Sequence, residues 1–334
     1  MSHLRAMVAT AAIRARCGGA FLQSIGMSEP VHIKAHAKLN LALSVGPPIP
    51  EGEPGAGMHP IASWIVPLAL ADELTYTPAD DGTSIDLQRS WAEDAPRRSP
   101  LAWLPDSDLC VRAVRRLGAK VGRELAATID LRKRIPVGGG LGGGSSDAAA
   151  TLIAANRAHG LGLSLDELAE LAAGLGSDVP YFLDEHSERG LPPAPALVTS
   201  LGDRIERVRT AQVPVVLCMP GFGCDTAAVY HAFDDAPVTL DESGVSRLAS
   251  AGDARSPNLF NDLFEPARRV EPELGGLWEQ VKRAAGRAVF LSGSGSTMFI
   301  VADDGNHARS LAESLGLHVP GAAFVATTTE DPSQ

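Results

Sequence analysis

The chain has 334 residues, 45% of them hydrophobic and 21% charged, enough to bury two cores rather than one. No apolar run approaches the ~20 residues that a bilayer-spanning helix needs, and a net charge of −11 with scattered basic residues leaves no footprint for a nucleic acid. Four cysteines, Cys17, Cys110, Cys218 and Cys224, show neither Cys-x-x-Cys spacing nor a nearby histidine pair, which argues against a zinc site and a disulfide framework and predicts reduced thiols in a cytoplasm.

Residues 1–29 place Arg5, Arg14 and Arg16 among small residues, and their first acid is Glu29. That composition suits a transit peptide or an over-long start, and Met27-Ser28-Glu29-Pro30 reads like a natural beginning. The segment is expected to be a disordered extension or a misplaced start, outside the fold.

From Val31 to Val45 every odd position is apolar and most even ones are polar, the period of a strand with one face in a core. Lys38 and Asn40 therefore point the same way, off the core face, about 7 Å apart. Gly46 to Met58 is rich in Gly and Pro and reads as a loop. Strands are predicted over Ala62–Leu70 and Glu73–Thr77, an irregular insertion over Arg89–Pro105, a helix over Asp108–Leu117, and a strand over Leu125–Leu131.

That strand enters Pro136-Val137-Gly138-Gly139-Gly140-Leu141-Gly142-Gly143-Gly144-Ser145-Ser146, a stretch with six glycines and two serines in its last nine positions. Glycine lets the backbone turn its N–H groups toward one point and lets a ligand come close. Strong helix formers follow, with Ser145, Ser146 and Asp147 at cap and first-turn positions and Gly160 placed to end the helix. Free N–H groups at the positive end of a helix dipole make a phosphate cradle.

Three other readings fail. A Walker A loop needs Gly-Lys-Ser/Thr, which is absent. Gly138, Gly140 and Gly143 fit a dinucleotide fingerprint in spacing, but the segment follows Arg132-Lys133-Arg134 and leads to a second helix, Leu165–Ala173, not to a strand. A flexible linker would be polar on both sides.

Further on, Ser164 and Glu167 form a capping box for that second helix. Asp178, before Pro180, reads by itself as a helix cap. His186–Pro195 is a Pro-rich connection, Val213–Met219 a strand, and Ala288–Val301 two apolar strands around a Gly/Ser loop. A helix from about His307 to Leu315 and a strand over Ala323–Thr327 complete an α+β arrangement.

Pro136-x-x-x-Gly140-Leu141-Gly142-Gly143-Gly144-Ser145-Ser146-Asp147-Ala148 resembles the second signature of the GHMP kinases, and within them that of the diphosphocytidyl-methylerythritol kinases of non-mevalonate isoprenoid biosynthesis. Ala37-Lys38-Leu39-Asn40-Leu41 resembles their first signature and Ala288–Val301 the third; the segment with Thr226 and Tyr230 resembles the start of their C-terminal half, and Asn258–Leu263 its Asn-Asp-Leu segment. The resemblance implies a two-domain α+β GHMP kinase fold: a ribosomal-protein-S5-like domain over 30–205 and a ferredoxin-like domain over 206–330. It also implies ATP and Mg²⁺ in the cleft between them, the triphosphate lying on Pro136–Ser146 and the ion on Ser145 or Ser146. Gly176-x-Asp178-Val179-Pro180-x-Phe182 matches the segment with the catalytic aspartate, so Asp178 is expected to accept the proton of a substrate 2-hydroxyl, with Lys38 beside it. Asn40 and His59 are expected to bind the cytidine diphosphate methylerythritol substrate. Two positions depart from the pattern: Met58 stands where the family has a Tyr, and Asp108 where it has an Asn beside the adenine. Another GHMP acceptor and a catalytically silent nucleotide binder are the alternatives. Monomer and homodimer are both open.

Overall fold

The structure, a computed structural model, describes residues 29–79 and 82–333; the N-terminal extension lies outside them except for Glu29. Two long antiparallel strands, β1 (Val31–Val45) and β2 (Ile61–Pro78), form the spine of the first half. The second edge of β2 is shared: Glu73–Pro78 pairs with β4 (Ala127–Lys133), and Ile61–Ile65 pairs with β5 (Ala196–Ser200). Adding β3 (Ile85–Trp91), parallel to β4, and β6 (Arg204–Arg207), antiparallel to β5, gives a six-stranded sheet.

Helices α1 (Leu109–Val121), α2 (Gly143–Ala158) and α3 (Leu165–Ala173) pack on this half. The apolar stripe Val111, Val114 and Leu117 of α1 is buried, as its period requires. Every residue of α2 from Ser146 to Ala155 is buried, and its alanines let it lie close to both β1 and α1. Ser164 and Glu167 do form the capping box of α3.

In the second half the strands β7 (Pro214–Pro220), β8 (Phe290–Leu291), β9 (Met298–Val301) and β10 (Ala322–Thr328) lie in the order β10-β7-β9-β8. Between β7 and β8 run α5 (Thr226–Asp234), α6 (Glu242–Ala251), α7 (Phe264–Val270) and α8 (Pro272–Ala285); α9 (Gly305–His318) joins β9 to β10. This is the strand order and crossover pattern of a ferredoxin-like unit. Each half has an apolar cluster of its own, and a third cluster joins Leu39, Leu41, Trp64 and Val66 to Val215, Leu217, Val245 and Phe299.

Several sequence expectations are corrected. Residues 62–77 form one strand rather than two, because the apparent break at Asp72 is a buried carboxylate with partners of its own. Arg89–Trp91 belongs to β3, so the irregular insertion begins at Ala92. A one-turn helix, α4 (Glu185–Glu188), interrupts the Pro-rich connection at 186–195. The cap of α2 is Gly142 in the left-handed region, φ 69°, with no side-chain cap; Ser145, Ser146 and Asp147 lie inside the helix. The three described cysteines, Cys110, Cys218 and Cys224, are buried and free, and burial pushes their thiols up, away from the reactive thiolate.

Candidate active site

A cavity of about 780 Å³ opens where the two halves meet. Its floor is the Gly-rich loop between β4 and α2: Pro136–Ser145 all line it. Gly138, Gly140 and Gly142 take φ values of 68°, 73° and 69°, and Gly139 and Leu141 between them have no positive φ. The carbonyls are tied to the protein: Gly139 O accepts from Thr297 N (3.2 Å), Gly140 O from Ser292 Oγ (3.0 Å) and Leu141 O from Lys38 N (3.0 Å). Because N–H and C=O point oppositely in a trans peptide plane, the N–H groups of Gly140, Leu141 and Gly142 face away from those anchors. Together with the orphan N–H groups of the first turn of α2, they are donors of the kind that suits an anion.

The loop after β8 closes on this floor, and contact leaves no room for a side chain. A Cβ on Gly140 would lie 2.2 Å from Ser292 O and 2.9 Å from Gly295 O. Gly140→Ala is therefore expected to separate the two loops and cost more than about 2 kcal/mol, from the clash added to the left-handed φ. Gly160→Ala is the control, since it shares a positive φ (58°) with nothing within 4 Å, and should cost about 1 kcal/mol. Thermal melts of both variants decide it; equal losses would show that the contact is not tight.

Lys38 and Asn40 do share one face of β1, but that face is not solvated. They are 4% and 5% exposed, covered by Gly142 on one side and Gly293 on the other. Lys38 Nζ donates to Asn40 Oδ1 (2.5 Å) and lies 3.4 Å from Asp178 Oδ2. Asn40 in turn donates to Ser63 Oγ (2.8 Å), which is anchored on Ala42 O (3.0 Å). This chain of bonds leaves Lys38 few rotamers. Asp178 caps no helix; its side chain, 36% exposed, faces the cavity beside Gly176 and Ser177.

His59 is held on all sides rather than free in a loop. Its Nδ1 bonds Gly46 O (2.9 Å), its Nε2 lies 3.4 Å from Asp234 Oδ1, and its ring sits 5.0 Å from that of Tyr230 and 5.7 Å from that of Phe233. Met58, 47% exposed, lines the cavity next to it. Ser145 lines the cavity too, whereas Ser146 is buried and does not line it.

Asp108 is a helix cap. Its carboxylate accepts from Cys110 N (2.8 Å), Trp103 Nε1 (2.8 Å) and Arg89 Nη1 (3.2 Å), so its oxygens are taken up within the protein. Below the floor, Lys133 bridges the carboxylates of Asp72 and Asp147, all three buried, and Asp72 also accepts from the N–H groups of Arg134 and Ile135 where the loop begins. Tyr230, Asp234 and Trp103 are cavity residues that sequence reasoning did not assign to the site. Only the i,i+4 spacing of Thr226 and Tyr230 hinted that α5 turns one face inward.

This architecture is shared. The pattern of the GHMP kinases N terminal domain matches residues 108–185, and that of the GHMP kinases C terminal domain matches 242–320. The 4-diphosphocytidyl-2-C-methyl-D-erythritol kinase of Streptomyces coelicolor is 32% identical over 291 residues, covering 84% of this chain and 91% of that one. The chain belongs to this family of GHMP kinases. The Thermobifida fusca enzyme of the same name is 35% identical over 298 residues, with 85% and 91% covered. A crystal structure of 4-(cytidine 5'-diphospho)-2C-methyl-D-erythritol kinase superposes with a TM-score of 0.68 at 31% identity, covering 90% of this chain and all of that one. Membership makes the chain an ATP-dependent kinase with an alcohol acceptor. Among the described residues no helix is long and apolar enough to cross a membrane.

Proposed function

We propose that the chain transfers the γ-phosphoryl group of ATP to the 2-hydroxyl of 4-diphosphocytidyl-2-C-methyl-D-erythritol, a step of non-mevalonate isoprenoid biosynthesis in the cytoplasm. The observation that supports it best is the Lys38–Asp178 pair, 3.4 Å apart on the cavity wall beside the Gly-rich floor. Asp178 Oδ accepts the hydroxyl proton as the oxygen bonds to the γ-phosphorus, and the bond to the bridging oxygen of ADP breaks. Lys38, fixed by Asn40, offsets negative charge on the transferring group. The N–H groups of the loop hold the phosphates.

The residues at the cleft fit magnesium modestly. No group of three or more His, Cys, Asp or Glu among the described residues would hold a metal, and the Ser145 hydroxyl is the donor at the floor. A Mg²⁺ carried largely by nucleotide phosphates, with that hydroxyl as its protein ligand, suits such a site and would neutralise phosphate charge when bound.

On the α5 side the cytosine end is read by His59, Met58 and Tyr230. Tyr230 supplies an aromatic face that Met58 lacks, and burial holds its phenol in the neutral form. Because β6 runs through Arg207 in the first sheet, the division expected at 205/206 moves to just after that strand; it assigns the floor and Asp178 to a nucleotide-binding domain and Tyr230 to a second, covering domain. A coupled ADP-release assay with 4-diphosphocytidyl-2-C-methyl-D-erythritol tests the reading; saturable turnover is expected. Turnover only on another alcohol would reassign the acceptor, and ATP binding with no turnover on any would make the chain a silent relative.

A further inference from the structure

Between α6 and α7 the chain passes through residues 258–263, and this crossing is tied to the strand that carries Lys38. Leu43 N donates to Phe260 O (3.0 Å), Asp262 N donates to Leu43 O (3.0 Å), and Asp262 Oδ2 accepts from Ser44 Oγ (2.8 Å) and Val45 N (3.0 Å). Leu43 and Asn261 thereby form an isolated parallel bridge at the end of β1. Asn261, between those anchors, has its place fixed relative to β1.

Its side chain reaches the loop between β8 and β9, residues 292–297. Oδ1 accepts from Leu263 N (2.9 Å), which sets the orientation of the amide, and Nδ2 donates to both Leu291 O (2.9 Å) and Gly293 O (2.8 Å). Gly293 in turn lies against Lys38: a Cβ built on it, at φ 56°, would be 3.3 Å from Lys38 Nζ, 3.3 Å from Asn40 Oδ1 and 3.2 Å from Gly140 O. Ser292, fully buried, ties the same loop to Gly140 O (3.0 Å) and accepts from Asn40 N (3.3 Å). Lys38 is enclosed between two glycine loops, and Asn261 holds the second of them. Asn261 itself lines no part of the cavity.

We propose that Asn261 is a positioning residue for phosphoryl transfer: by holding the carbonyls of Leu291 and Gly293 it keeps Gly293 against Lys38, and so keeps Nζ aimed at Asp178. The inference rests on the reading of Lys38 and Asp178 as the pair that carries the transfer. The bonds require an amide at 261. A carboxylate of the same size still accepts from Leu263 N, but it turns a charged oxygen toward two carbonyl oxygens and pushes the loop off instead of holding it. A misplacement of about 1 Å at such a group costs on the order of 10²-fold in rate.

The test is a kinetic cycle on the full chain with ATP and 4-diphosphocytidyl-2-C-methyl-D-erythritol. Asn261→Asp should lower kcat by about 10- to 100-fold and leave both KM values within about threefold of wild type, since the groups assigned to the two substrates are untouched. In a Lys38→Met background the same substitution should cost less than about twofold more, because its effect passes through Lys38. Gly293→Ala disturbs the loop from the opposite side and should show the same dependence on Lys38; it takes the place of Asn261→Asp if that variant does not fold. A full further loss in the Lys38→Met background, or a raised KM at unchanged kcat, would overturn the proposal by making Asn261 a general prop. A wild-type kcat in Asn261→Asp beside a crippled Lys38→Met would overturn it and leave the Lys38–Asp178 reading in place. A wild-type kcat in Lys38→Met itself would remove that reading and the proposal with it.

Discussion

Replacing Asp178 with Asn is expected to lower kcat by about 10²- to 10⁴-fold, the usual contribution of a positioned proton acceptor. The substitution keeps the size of the side chain and a polar contact with Lys38, 3.4 Å away. ATP affinity should stay within about twofold, because the groups assigned to the phosphates are backbone N–H groups of the loop and of the first turn of α2. Lys38→Met should produce a loss of similar order, since Lys38 is 4% exposed and its Nζ is aimed by Asn40 at the same point. The double variant should then be little worse than either single one, as for residues that act as a unit. Single-turnover rates at saturating ATP give the comparison. A kcat for Asp178→Asn within tenfold of wild type would move the base elsewhere; additive losses would separate the two residues.

How far such a site can be read without coordinates is shown by β1. The alternation from Val31 to Val45 correctly puts Lys38 and Asn40 on one face. It is silent on their burial, which comes from Gly142 and Gly293, residues remote in sequence. The turns of the Gly-rich loop were legible because their cause is local: Gly138, Gly140 and Gly142 take the positive φ that glycine allows. The cap that follows was not: Ser145 and Ser146 look like caps, but the left-handed turn at Gly142 comes first and leaves them inside α2. The same contrast separates Ser164–Glu167, a reciprocal cap within one turn that was read correctly, from Asp108, whose partners Arg89 and Trp103 lie across an irregular insertion. The contacts that hold His59 were invisible in the sequence because Asp234 and Tyr230 reach it from the other half of the chain. Side chains whose role is set by distant contacts leave no periodicity to find.

The basic run Arg132-Lys133-Arg134 makes the point energetically and carries the largest expected effect on stability. Lys133 is no surface charge; it is buried between Asp72 and Asp147. Lys133→Met would leave the buried Asp72 carboxylate and its neighbour Asp147 without their cation, and breaking a buried pair in this way costs about 3–5 kcal/mol. A fall of roughly 10 °C in the thermal midpoint should follow. ATP affinity should fall with it, since Asp72 anchors Arg134 and Ile135 at the mouth of the loop.

Asp147→Asn should behave differently. Burial, with the nearby Asp72 carboxylate, holds the Asp147 carboxyl well above the usual range against the pull of Lys133, and its Oδ1 has no hydrogen-bond partner. A carboxyl raised on folding adds stability that is complete below its unfolded pKa and is lost as pH rises through the folded value. Wild type should therefore lose ground to Asp147→Asn as pH climbs from the ordinary carboxylate range toward neutral, while the Lys133 ammonium, whose pKa the two carboxylates raise, stays charged throughout. Thermal midpoints of both proteins from pH 4.5 to 8 measure the difference. If the gap instead moves in favour of wild type as pH rises, Asp147 is an ordinary ionised partner of Lys133, and the proton belongs elsewhere in the trio.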